Sequence, residues 1–192
     1  MGLTQEKPKT TLHLLYFLFA FIMWLLVIGW LAVIFSLSSE SADVSSLRSQ
    51  DLIERIAEIF HITVNEELIR SCAHIFEFLV LSVFSYIAMF ATNHIKSGEN
   101  VPVSGRLDKL KNDNEVYIAV SLWITALSAA ADEYHQIFVD GRSSSLFDVL
   151  LDFSGAVVLM LIIRIVVSIY IYVKNRKSTI GMISDNTNVE EV

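Results

Sequence analysis

Residues 146–173 read LFDVLLDFSGAVVLMLIIRIVVSIYIYV. The run is longer than the ~20 helical residues that cross a hydrocarbon core of ~30 Å. It also opens with two aspartates, Asp148 and Asp152, spaced i, i+4. Its length predicts a membrane span. Its carboxylates are residues a bilayer should reject, and charge at membrane depth is usually kept for function or for a partner.

Three other stretches share this character. Leu12–Phe35 is apolar, Ser71–Ala91 follows Arg70, and Val116 to about Phe138 has a polar outer third. The chain is 54% hydrophobic over 192 residues and carries two prolines. With a mean hydropathy of +0.55, it reads as an all-α polytopic membrane protein with four transmembrane helices. The first run is too long for the apolar core of a signal peptide and is read as a retained anchor. There are no internal repeats and no low-complexity runs.

A formal net charge of −7, with lysines and arginines scattered at span boundaries, speaks against nucleic acid as a partner. Membrane lipids are the expected surroundings. Cys72 is the single cysteine, so no intramolecular disulfide forms, and it reads as a small apolar filler. Nine of the fourteen basic residues fall at the N-terminus, in the Thr92–Glu115 loop and in the tail. Four (Arg48, Arg55, Arg70 and Arg142) fall on the other side, and Arg164 lies in the last span, where it is expected to snorkel. Both termini are therefore expected to be cytoplasmic. The expected division is a cytoplasmic N-terminus at 1–11, a four-helix membrane domain at 12–173 and a cytoplasmic tail at 174–192. The Thr92–Glu115 loop and the tail read as flexible connectors.

The first outer loop carries Val44, Leu47, Leu52, Ile56 and Ile59 at three-to-five-residue steps, with charges between them. This predicts an extracytoplasmic amphipathic helix with Ser41 as N-cap, lying on the outer surface or lidding the bundle. A solvated helix with no role beyond packing fits the same pattern.

The ionisable residues cluster toward that side. Arg70, His74 and Glu77 are spaced i, i+4, i+7 on one helix face. If Arg70 marks the boundary, His74 lies ~6 Å and Glu77 ~10 Å deeper at 1.5 Å per residue. Glu77 must then face the bundle or be neutral. Asp132, Glu133 and Gln136 close the third span, and Val139-Asp140-Gly141-Arg142 makes the turn into the fourth. Arg142 would either neutralise neighbouring carboxylates or hold an anionic group, which suits its guanidinium fork. Gly155 follows Asp152 and would permit close helix contact. A histidine with carboxylates from three helices can do acid–base chemistry or bind a divalent cation. The same groups can equally form a static salt-bridge network. His74-x-x-Glu77 is a weak metal signal with no second copy, so no cofactor or metal is assigned from the sequence.

The segments RSCAHIFEF (70–78) and DEYHQIFVDGRSSSLFDVLLDFSG (132–155) resemble the VanZ-like family, over roughly Trp30 to Leu159. The family pattern has a basic residue, Ala-His and an acidic-aromatic pair, then Asp-Glu-x-x-Gln, Gly-Arg, and Asp-x-x-x-Asp or Asn before Gly. By position, Arg70, His74, Glu77, Asp132, Glu133, Gln136, Arg142, Asp148 and Asp152 fall on it. Ser71, Ile75 and Phe78 stand where Lys, Phe and Tyr are common. The resemblance implies a small bacterial membrane protein associated with reduced susceptibility to lipoglycopeptides such as teicoplanin. On that basis the expected site has His74, Glu77, Glu133 and Asp132 as reacting groups. Arg70, Gln136, Arg142, Asp148 and Asp152 would bind an envelope lipid or a lipid-linked cell-wall component. The alternative is a non-enzymatic binder or small transporter whose buried charges pair internally.

Overall fold

A computed structural model of the chain describes residues 9–61, 64–96 and 105–189. Five helices follow one another: α1 (Lys9–Ser38), α2 (Ala42–Phe60), α3 (Glu66–Lys96), α4 (Arg106–Gln136) and α5 (Leu146–Val189). All but α2 are long and apolar enough to cross a membrane. The chain is a multi-pass, all-helical membrane protein.

The outward-facing residues account for that environment. Leu14, Phe17 and Phe21 on α1, and Val158, Ile165 and Ile169 on α5, are all more than half exposed. Apolar surface on this scale is unfavourable in water and is satisfied by lipid.

α3 is the hub, packing against every other helix. Its buried stripe is Phe78, Leu81, Ser82, Ser85, Ala88 and Ala91, at i, i+3, i+4 spacings that keep one face inward. Small residues dominate that stripe and let neighbouring backbones approach. Trp30 Nε1 donates to the Glu77 carbonyl at 2.8 Å, and Trp24 Nε1 to Thr92 Oγ1 at 3.1 Å, fixing α1 along α3 at two depths. On α4 the inward face runs through Ser121, Thr125 and Ala129 to Asp132, Glu133 and Gln136. The Ser121 and Thr125 hydroxyls donate to carbonyls one turn back, so they need no partner on another helix.

Several elements extend beyond the apolar runs that predict them. α3 begins at Glu66, with the Asn65 side chain accepting the Glu67 N–H at 2.9 Å. Glu66 and Glu67 suit the positive end of that helix. The Thr92–Glu115 segment, expected to be a flexible connector, is helical up to Lys96 and again from Arg106, where polar side chains do not oppose helix formation. Residues 97–104 of that segment, and the N-terminal residues 1–8, lie outside the description. The tail also continues α5 to Val189 rather than forming a loose connector. Arg164 does not snorkel to a free end: it pairs with Glu115 of α4 at 2.8 Å. Cys72 is exposed and fills no core gap.

α2 is the amphipathic helix expected between the first two spans. Ser45 and Ser49 are its buried residues, while Val44, Leu47 and Ile59 point outward. Ser41 stands at the N-cap position without a side-chain cap bond. The Ala42 N–H is satisfied instead by the Asp140 carbonyl at 3.2 Å, tying α2 to the α4–α5 turn. Gly141 sits in that turn at φ +75°, a region that favours glycine.

Candidate functional site

The C-terminal ends of α1 and α4 meet the N-terminal ends of α3 and α5, with α2 across them. A cavity of about 270 Å³ opens here. Arg70 and His74 reach it from α3, Glu133 and Gln136 from α4, Arg142 from the turn, and Asp148 and Asp152 from α5. A smaller cavity of about 80 Å³ adjoins it and shares Arg70, His74 and Arg142. Glu77 lines only this second space, together with Arg48 and Ser49 of α2. Asp132 lines neither and is fully buried.

Each acidic group is held differently. Glu133 Oε1 accepts the Ser145 N–H at 2.6 Å, while Ser145 Oγ accepts the Phe147 N–H at 3.1 Å and caps α5. Glu133 therefore helps set where α5 begins. Asp132 Oδ2 accepts from Gln136 Nε2 at 3.1 Å, the carboxylate–amide pair that the i, i+4 spacing predicts. Asp152 is brought inward by Gly155, one turn along α5. A Cβ at Gly155 would stand 2.6 Å from Ile75 Cγ2 and 3.2 Å from the Ile75 carbonyl oxygen, so glycine sets how closely α5 approaches α3.

One ligand-capable atom from each of His74, Asp132 and Asp152 lies within 4.8 Å of the others. His74 Nδ1 stands 3.6 Å from Glu77 Oε2, close enough for ion pairing but beyond a hydrogen bond. Among the described residues, His74 Nδ1, Glu77 Oε2, Asp132 Oδ1 and Ser38 Oγ are buried without a hydrogen-bond partner. These atoms face one another in two pairs, Ser38 with Asp132 and His74 with Glu77, and neither pair closes into a good hydrogen bond, so buried polar groups of a kind that is usually satisfied gather at one place.

Among the described residues, Arg142 makes no ion pair with the carboxylates, the first of the two roles its sequence position suggests. Its Nε donates to the Glu40 carbonyl at 3.0 Å and its Nη2 to the Leu37 carbonyl at 3.5 Å. It thus closes the C-terminal end of α1, where unpaired carbonyls collect. Burial pulls the Arg142 guanidinium below its ordinary value, opposed by the nearby Asp132 charge. Arg48 of α2 pairs with Glu40. Arg70 is half-buried and makes no hydrogen bond or ion pair among the described residues, so its fork remains available in the cavity wall.

Three contributors are absent from the sequence reading. Glu67 lies i−3 from Arg70 and i−7 from His74, and its helical spacing could have placed it on the same face. Ser38 and Arg48 reach the site only through the packing of α1 and α2, which no local pattern announces. His135, the neighbour of Gln136, is bonded to Ser39 Oγ at 2.9 Å and packs edge-on against Phe35.

No curated protein and no solved structure matches this chain. The model of the VanZ/LLP1 family matches residues 17–167, a span that takes in every residue of the cavity, the second and third membrane helices entire and most of the first and last. The chain belongs to the VanZ/LLP1 family.

Proposed function

We propose that this VanZ/LLP1 protein receives the anionic headgroup of an envelope lipid, or of a lipid-linked cell-wall component, in the cavity at the α2 end. Occupation of that cavity would lower susceptibility to lipoglycopeptides such as teicoplanin. The observation that carries the reading is Arg70, an uncommitted guanidinium in the wall of a cavity otherwise rich in carboxylates. A planar fork of this kind suits bidentate contact with phosphate or carboxylate. A volume of about 270 Å³ is near the lower bound for small-molecule sites, and fits a headgroup better than an entire glycan-bearing precursor.

In this reading the protein sits in the bacterial cytoplasmic membrane with both termini cytoplasmic, so the cavity opens to the outer leaflet. Residues 1–11 and 174–192 are its cytoplasmic extensions, and residues 12–173 form the membrane domain. Arg142 holds the rim and contributes positive charge, while Gln136 and Asp148 complete the wall. His74, Glu77, Asp132 and Glu133 supply acid–base groups for any reaction on the bound headgroup. The orphaned buried atoms favour a ligand-receiving site over a network whose charges are satisfied internally.

Expression of the protein in a susceptible bacterial host, with teicoplanin susceptibility as the readout, tests the proposal. The wild type should lower susceptibility, and Arg70→Gln at equal membrane abundance should not. Equal protection by both would contradict the assigned role of Arg70.

A further inference from the structure

We propose that His74, Asp132 and Asp152 form a binding site for one divalent transition-metal ion, at the floor of the cavity. The proposal does not depend on which headgroup the cavity accepts. Three observations carry it. The three side chains come from three different helices, yet offer ligand atoms within 4.8 Å of one another, so that a small inward movement brings all three onto a single ion. Asp132 is fully buried, and while its Oδ2 is bonded to Gln136, its Oδ1 makes no well-formed hydrogen bond among the described residues, with only the Ser38 hydroxyl beside the carboxylate. Finally, Glu77 stands 3.6 Å from His74 Nδ1.

The last contact gives the arrangement its direction. A histidine that ligates a metal almost always gives its other ring N–H to a carboxylate, carbonyl or water, which fixes the ring and its tautomer. Glu77 is placed for that task at Nδ1, leaving Nε2 for the ion. Glu77 Oε2 and His74 Nδ1 are both without a partner at present, and a modest tightening of the ring toward Glu77 satisfies both. The assignment makes Glu77 a positioning residue and His74 and Asp132 ligands while the ion is bound, so that of the four acid–base groups proposed above only Glu133 stays free to move a proton in the metal-loaded protein.

The ligand set selects the ion. One imidazole and two carboxylates suit Zn²⁺ or Mn²⁺, whereas Ca²⁺ takes six to eight oxygens and Mg²⁺ keeps several waters. Three protein ligands leave at least one position open toward the cavity, as in catalytic rather than structural zinc sites. Gly155 is part of the device, because only its close approach to Ile75 carries Asp152 to α3.

The test uses the full chain, purified in detergent, stripped with chelator, re-equilibrated with Zn²⁺ or Mn²⁺ alone and desalted. Elemental analysis should find one ion per chain. Asp132→Asn and His74→Ala should lose it, while Asp51→Asn, at an exposed α2 residue, should keep it. Glu77→Gln should weaken retention by about 10- to 100-fold without abolishing it, the behaviour of a residue that orients a ligand. Absence of a stoichiometric ion in the wild type, or full retention by Asp132→Asn, would overturn the site. If the substituted proteins do not fold, Co²⁺ bound to the wild type gives a second reading. A paramagnetically shifted imidazole N–H proton supports the site, and an ion with no imidazole signal refutes it.

Discussion

Gly155 passes so close to Ile75 that a methyl group on it would stand 2.6 Å from Ile75 Cγ2. The contact constrains the α3–α5 crossing, with Asp152 one turn before Gly155 on α5 and His74 next to Ile75 on α3. Gly155→Ala must therefore push α5 outward or force Ile75 off its rotamer, at the ~1–3 kcal/mol typical of overpacking. A lower unfolding temperature in detergent is expected. Ile75→Ala in the same chain removes the clashing methyl and should recover part of the loss. Unchanged stability of Gly155→Ala would mean that the helices are not held at this spacing.

Arg142 has a structural task that can be separated from any part it plays in binding. Its Nε is the charged donor to the Glu40 carbonyl at the end of α1. Hydrogen bonds to charged groups contribute about 1.5–3 kcal/mol, so Arg142→Gln should destabilise the protein by about that much. Chemical unfolding in detergent measures the loss. Arg70→Gln, which removes no such bond, should unfold close to wild type, and equal loss in both variants would contradict this division of roles.

The four spans and the cluster were legible because both depend on local spacing. Apolar run length reports a membrane crossing, and helical periodicity placed Arg70, His74 and Glu77 on one face before any packing was known. Partner choice was not legible. Arg142 reads either as a neutralising cation beside carboxylates or as a holder of an anionic group, yet it bonds carbonyls at the end of α1 more than a hundred positions away in sequence. Glu77 and Asp132 likewise stand apart from the main cavity, one in the adjoining space and one lining neither. Which face of α2 meets the protein is open for a related reason: hydrophobic periodicity finds the apolar stripe but does not say whether protein or lipid covers it. Helix ends were underestimated wherever polar residues continue a helix past the apolar core, as from Arg106 and beyond Val173.

The basic residues give an orientation that can be measured. A reporter fused after Val192 should read cytoplasmic, and one inserted in the turn at Ser143–Ser144 should read external. The opposite pattern would place the cavity on the cytoplasmic side and remove the outer-leaflet part of the proposal.

Glu133 separates chemistry from packing. Glu133→Gln retains an oxygen able to accept the Ser145 N–H, so the α5 cap survives and stability should fall by no more than ~1 kcal/mol. The variant nevertheless loses a carboxylate from the cavity wall. Loss of protection against teicoplanin at near wild-type stability is expected, with His74→Ala behaving alike in the susceptibility assay. A Glu133→Gln protein that protects fully would show that this carboxylate serves only to start α5.

The most direct measurement is binding of an anionic lipid headgroup by the purified protein in nanodiscs, with a polyprenyl phosphate as probe and the corresponding polyprenol as control. The account predicts saturable binding of the phosphate and not of the alcohol, weakened at least tenfold by Arg70→Gln while the unfolding temperature stays near wild type. Equal uptake of phosphate and alcohol, or undiminished phosphate binding by Arg70→Gln, would contradict it.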